Sequence, residues 1–268
     1  MLLKIDEAIF NDHRNYKLGA IIIKDFDNSK RVSSVEALLR GTFVQRKNEL
    51  KNEDVLSLEI VQAWDRAIGN LGINPEKNHP FIKAMFTRLK QEDGSKKTNL
   101  IEDISKYFAL KYKLPIFALD IDWLCGELSL KYTKGNEPFR AKDSITVENS
   151  KEGEPAYIDS GGIISRYWNH KQCQRTRLTT KTRNAVFLIE DLNGLHMDLF
   201  GSYLREMQSA IMKYLGGYIE PYILTEESAV IDLGVQGRTS VDDSKVPQQE
   251  KAHFMKNHTG VFINQEQN

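Results

Sequence analysis

The sequence predicts an α+β fold: a helical N-terminal region followed by a strand-rich region that builds a mixed sheet. Two observations carry this. Apolar residues recur at helical spacing from Ser33 to Leu114, and after Pro115 the pattern changes to short β-branched and aromatic runs punctuated by glycine turns. Size agrees, because 268 residues with 40% hydrophobic and 28% charged content suffice for a sizeable core without covalent staples.

The elements follow in order. "YKLGAIIIKDF" (Tyr16 to Phe26) holds the unbroken run Leu18 to Ile23, the mark of a strand buried on both faces. "DNS" then supplies a turn, and Ser33 or Ser34 opens a helix through Phe43 with Val35, Leu38, Leu39 and Phe43 on one face. The segment from Asn52 to Gly72 repeats apolar residues at Leu58, Val61, Trp64, Ile68 and Leu71 and stops at glycine. Pro80 begins a third helix that buries Phe81, Met85, Phe86 and Leu89. A polar loop around Gly94 leads to a fourth, with Leu100, Ile104, Tyr107 and Phe108 in register, which Pro115 ends.

Beyond Pro115, "GELSLKY" and "EPFRAK" flank "TKGN" as a hairpin, and "AYIDSGGIISRYW" forms a second one turning at Asp159 to Gly162. "NAVFLIEDL" has the length of a strand. A long helix follows from Leu195 and closes at Gly216 and Gly217, and "YILTEESAVIDLG" is a last hairpin. The expected division is one domain over residues 1–237 and a polar extension over 238–268.

Several chemistries lack their motifs. There is no Gly-Lys-Ser/Thr phosphate loop, no G-x-G-x-x-G and no G-x-S-x-G elbow. The six histidines, His253 and His258 in the extension among them, form no ligand pair on an expected helix, so neither metal nor cofactor is expected. Cys125 and Cys173 stand alone and read as free thiols in a reducing cytoplasm. The acids of "MLLKIDEAIF" argue against an export signal, and no apolar run nears the roughly 20 residues of a membrane helix.

Net charge is zero, 37 basic against 37 acidic residues, so any polyanion partner must meet a local patch. One exists: no Asp or Glu falls between Ser160 and Ile189, while Arg166, Lys171, Arg175, Arg177, Lys181 and Arg183 do. Within it, "RYWNHKQCQRT" sets Asn169, Gln172, Gln174, Arg175 and Thr176 beside an aromatic pair. That donor and acceptor set suits a ligand with carbonyl, amine and hydroxyl edges, or else it satisfies the backbone of its own loop.

"GGIISRYWNHKQCQRTRLTTKTRNAVFLIEDL" (Gly161 to Leu192) resembles the B3/B4 tRNA-editing domain of the phenylalanyl-tRNA synthetase beta subunit, and more closely its freestanding versions. "LGAIIIKDFDNS", "AWDRAIGNLGINPEKNHP" and "NLIEDISKYFALKYKLPIFALDIDWLCGELSL" follow the same order, so the likeness spans Tyr16 to Leu233. The resemblance implies a B3/B4-type fold and a tRNA-binding factor that hydrolyses mischarged aminoacyl-tRNA in trans, without synthetase activity. A non-catalytic module binding tRNA or an amino acid on the same fold is the alternative.

The resemblance also implies roles. Glu190, Asn169 and His170 would serve catalysis. Trp168, Gln172, Arg175, Thr176, Ser105, Phe117, Gly161 and Gly162 would meet the substrate, the two glycines through amides facing an oxyanion. Lys171, Arg177, Lys181 and Arg183 would hold the aminoacylated CCA end, with Trp168 or Tyr167 stacking on a base. Two departures stand out. Phe117 occupies the place of a family histidine, and Ser105-Lys106 that of a Thr-Asn pair, both at pocket positions.

Overall fold

The structure is a computed structural model that describes residues 1–92, 94, 98–142, 144–196 and 198–241. It is α+β, with six helices of at least one full turn and two main sheets among the described residues. The expected loop around Gly94 lies partly outside the described residues, as do His253, His258 and the extension beyond Val241.

Chain order runs β1 (Leu2–Ile5), α1 (Glu7–Asp12), β2 (Lys17–Lys24), α2 (Ser33–Glu49), α3 (Glu59–Asn70), α4 (Phe81–Gln91) and α5 (Leu100–Tyr112). Then come β3 (Ile116–Asp120), β4 (Leu128–Lys134), β5 (Pro138–Phe139), β6 (Glu148–Asn149), β7 (Glu152–Asp159), β8 (Gly162–Arg166) and β9 (Lys171–Gln172). The chain continues through β10 (Ala185–Asp191), α6 (Phe200–Tyr214), β11 (Tyr218–Leu224) and β12 (Val230–Asp232).

The unbroken apolar run sits where such a run must. β2 is second in a four-stranded antiparallel sheet ordered β11-β2-β10-β3, and β3 and β10 are buried along their whole length. Residues buried on both faces need no alternation, which is why these strands read as continuous hydrophobic stretches. Helix α6 packs closely on β2: a methyl group at Gly19 would lie 2.8 Å from the Leu204 side chain.

The second sheet, ordered β12-β1-β4-β7-β8-β9, is mixed, because β1 runs parallel to β4 while every other pair is antiparallel. Two expected hairpins are corrected here. β4 does not turn back onto β5; it pairs with β1 and β7, and β5 pairs with β6. β11 and β12 share only a Thr225–Ser228 bridge and go to different sheets, the first beside β2 and the second beside β1. A turn signal fixes where the chain reverses, but the sheet in need of an edge chooses the partner. The hairpin at Asp159 to Gly162 is present as expected.

Helix ends follow local chemistry. Asn99 accepts from the Glu102 amide to cap α5, and Lys113 in the left-handed region (φ 58°) stops it two residues before Pro115. Gly162 is the tightest point of the β7–β8 turn. It holds φ +115°, and an added Cβ would sit 2.5 Å from the Pro138 carbonyl oxygen. Gly162→Ala is expected to lower unfolding free energy by about 2–3 kcal/mol, measured by urea denaturation.

Candidate functional site

Glu190 is the centre. It lies near the end of β10, is wholly buried, and has no cation paired with it among the described residues. Its Oε1 accepts from the Tyr157 hydroxyl at 2.6 Å and from the Tyr16 hydroxyl at 3.0 Å, and its Oε2 accepts from the Asn169 amide. Tyr16 precedes β2 and Tyr157 belongs to β7, so the carboxylate joins the two sheets. Burial raises its pKa to about 7, and the three donors only partly offset that effect.

The polar stretch delivers Asn169 by an unusual backbone. Tyr167 and Trp168 both occupy the left-handed region, at φ 50° and 61°. That conformation costs roughly 1–2 kcal/mol for a residue with a side chain, so packing must hold it. Trp168 supplies the packing: it is fully buried, 5.0 Å from His13, 5.5 Å from Trp64 and 6.2 Å from Tyr16 between ring centroids. Asn169 then faces Glu190 with its amide nitrogen, while its oxygen accepts from the Phe81 amide at the start of α4 (3.1 Å). Phe117 closes the group from β3, its ring edge-to-face with Tyr157 at 5.7 Å.

The other expected site residues are placed elsewhere. Trp168 is internal, which corrects its expected role in stacking, and Tyr167 is half-buried beneath the Arg166 guanidinium. Arg175 is also internal: it grips Asp159 through two bonds of 2.6 and 2.8 Å and the Trp123 carbonyl through a third. The Gly161 amide donates to the same Asp159 at 2.8 Å, so it is not free for an oxyanion. Ser105 donates back to the Ile101 carbonyl within α5, and Thr176 is buried with its hydroxyl 3.4 Å from the Cys173 sulfur. Gln172 pairs with Ser165 across β8–β9. Burial lowers the His170 pKa to about 4, and its partner is the His79 backbone rather than Glu190.

Of the expected tRNA contacts, Lys171, Lys181 and Arg183 are exposed and Arg177 is half-buried. Arg166 is withdrawn from any such patch by a bidentate pair with Glu154 (2.7 and 2.8 Å) and a bond to Glu148. Both cysteines are free and buried. Among the described residues no helix is long and apolar enough to cross a membrane, and no cluster of three His, Cys, Asp or Glu is arranged for a metal ion.

Sequence reasoning assigned no role to Tyr16, Tyr157 or Asp120. Asp120 is a second buried acid, bonded to the Thr182 hydroxyl at 2.7 Å and raised by burial to about 7. The two tyrosines carry no local signal, since each ends or interrupts an apolar run and reads as core.

Residues 63–200, half of the chain, match the B3/4 domain family. The chain belongs to the B3/4 domain family. Among solved structures, the B3/4 chain is similar to an N-terminal fragment of the phenylalanyl-tRNA synthetase beta subunit from Pyrococcus horikoshii. Identity is 14%, the TM-score is 0.42, and the match covers 81% of this chain and 49% of that one. The chain thus spans about half the length of that fragment. No curated protein matches.

Glu190 has a folded pKa of about 7 against an ordinary 4.5, so near pH 6 the folded B3/4 protein keeps a proton that the unfolded chain has lost. Its contribution therefore favours folding below about pH 4.5 and declines as pH rises through 7, by on the order of 3 kcal/mol. Asp120 acts in the same direction over a similar window. Glu190→Gln is expected to remove roughly half of the decline in stability between pH 5 and 8, read from denaturation midpoints. Arg175→Ala strands the Asp159 carboxylate and is expected to cost about 3–5 kcal/mol; a surface role for Arg175 would leave the unfolding midpoint unmoved.

Proposed function

We propose that this B3/4 protein recognises the aminoacyl group at the end of a tRNA and hydrolyses the ester of a mischarged one in trans. The observation that carries this reading is Glu190, an unpaired buried carboxyl balanced near neutrality between three hydrogen-bond donors. A structural acid in a core is normally matched by a cation, as Asp159 and Glu154 are here; Asp120 shares the raised pKa of Glu190, but Glu190 alone of the two is held by Asn169 from the strained turn. One left without a cation and titrating near pH 7 has the poise of a general base, or of an acceptor awaiting a substrate ammonium.

In this reading the aminoacyl group displaces the Asn169 amide, and the strained turn at Tyr167 and Trp168 is the part that moves. The freed Asn169 donor then faces the ester carbonyl, and water attacks that carbon as Glu190 takes its proton, with the phenols of Tyr16 and Tyr157 holding the other carboxylate oxygen. The bond to the ribose oxygen then breaks as Glu190 returns the proton to it, releasing the amino acid and a tRNA with a free hydroxyl. An aminoacyl ester is already activated, so a held water and a proton acceptor suffice. Lys171, Lys181 and Arg183 are the exposed cations that would meet the phosphates.

A second reading, a non-catalytic binder of tRNA or amino acid, draws on Phe117, whose ring packs on Tyr157 where a titratable side chain would otherwise stand beside Glu190. One experiment separates them. Purified protein is incubated with correctly and wrongly charged tRNAs and ester loss is followed, with Glu190→Gln alongside. Editing predicts selective deacylation that the variant slows by about 10²-fold or more. The binder predicts no deacylation but tRNA affinity that falls with salt, at a slope near −0.7 per phosphate met on a single strand. Salt-independent or absent tRNA binding, with no hydrolysis, sinks both the editing reading and the tRNA-binding one.

A further inference from the structure

Away from Glu190, the ends of several elements leave a cleft of about 260 Å³. Leu50 after α2, Leu58 and Ile60 at the start of α3, Phe86 of α4 and Leu195 form its apolar wall. Three side chains at its margin have charge or hydrogen-bonding capacity to spare: Lys113, Glu59 and His196.

Each is held in place by the fold. Lys113 sits at the left-handed stop of α5, its ammonium no nearer than 3.8 Å to Glu49. Glu59 is exposed and makes no hydrogen bond or ion pair among the described residues. His196 is anchored through its backbone, whose amide donates to the buried Asp191 carboxylate at 3.1 Å, and its ring borders the cleft with Nδ1 enclosed by protein. Arg46 also borders the cleft, but its guanidinium is spent on the Leu110 and Lys111 carbonyls and on Glu49. One lysine held only loosely by Glu49, one imidazole and one free carboxylate around an apolar wall make a set complementary to a zwitterion with an apolar side chain.

We propose that this cleft is a second ligand site, which binds a small free α-amino acid with an apolar side chain. Lys113 and His196 hold the carboxylate, Glu59 holds the ammonium, and Leu50, Ile60, Phe86 and Leu195 take the side chain. α3 starts here without a side-chain cap, so its first amides add favourable potential for the same carboxylate. The volume lies just below the lower end of ordinary ligand pockets, roughly 300 Å³, which suits an amino acid rather than a nucleotide. The site stands independently of the role given to Glu190.

The test uses the full chain labelled with nitrogen-15 and three probes: L-leucine, 4-methylpentanoate, which lacks the amine, and 3-methylbutylamine, which lacks the carboxylate. Leucine is expected to shift the amides of Leu50, Ile60, Phe86, Leu195 and His196. 4-Methylpentanoate and the amine, each lacking one of the two charged contacts, should both bind more weakly than leucine. Lys113→Gln is expected to weaken leucine about tenfold, the loss of one charge-assisted bond. Glu59→Gln should erase the preference for leucine over 4-methylpentanoate, and Glu190→Gln should change neither affinity. No shifts at saturating leucine would overturn the proposal, as would equal binding of leucine and 4-methylpentanoate to the unaltered protein. Shifts confined to Asn169 and Glu190 would do the same, and would assign amino-acid binding to the other site alone.

Discussion

Glu190 places a carboxyl group in full burial with no cation paired to it among the described residues, and much of the architecture is arranged around that placement. Its acceptors are satisfied by groups from three separate parts of the chain: Tyr16 ahead of β2, Tyr157 on the mixed sheet, and Asn169 on the loop between β8 and β9. A buried acceptor left unmade costs about 1–3 kcal/mol, more when charged. These bonds therefore fix how the two sheets face one another. Asn169 extends the constraint by holding the first turn of α4 through the Phe81 amide. The left-handed pair Tyr167 and Trp168 is tolerated because the Trp168 ring is buried against Trp64, Tyr16 and His13.

The distribution of the cations explains why Glu190 is left alone. The acid-free window looks like a basic surface in sequence, yet its best-organised members turn inward. Arg166 neutralises Glu154 and Arg175 neutralises Asp159, each in the fork geometry a guanidinium favours. Those acids sit outside the window in sequence, on the strand just before it. The fold thus keeps charge neutrality near both ends of β7, at Glu154 and Asp159, and pairs no cation with Glu190 among the described residues. The consequence is a carboxyl that titrates near neutral pH beside a loop stored in a strained conformation, two properties that accompany sites of chemistry more often than sites of packing.

Elements with a strong local signal were legible. The β2 run, the Gly72 and Pro115 stops, and the hairpin at Asp159 to Gly162 all occur as their residues dictate. β1, only four residues long, gave no signal and yet lies inside the mixed sheet, because its partners β4 and β12 define it. The β4–β5 and β11–β12 pairings failed for a related reason: reversal of the chain is local, whereas the choice of neighbour is decided by which sheet edge is open. Of the site, Asn169 could be picked out within the polar stretch, and Glu190 entered through the family resemblance. Tyr16 and Tyr157 could not, since a tyrosine bonded to a buried acid is written with the same letter as one that fills space.

The sequence by itself determined the α+β order, the helix stops, the local charge imbalance and the polar stretch after Trp168, because each depends on neighbours within a few residues. Only the tertiary structure decided that Arg175 faces Asp159 rather than solvent, that Trp168 is a wedge and not a stacking platform, and that Glu190 is without a counter-charge among the described residues. Those outcomes depend on which side chains meet across distances of up to 174 residues along the chain. Burial and hydrogen bonding act through space, and no pattern of adjacent letters encodes them.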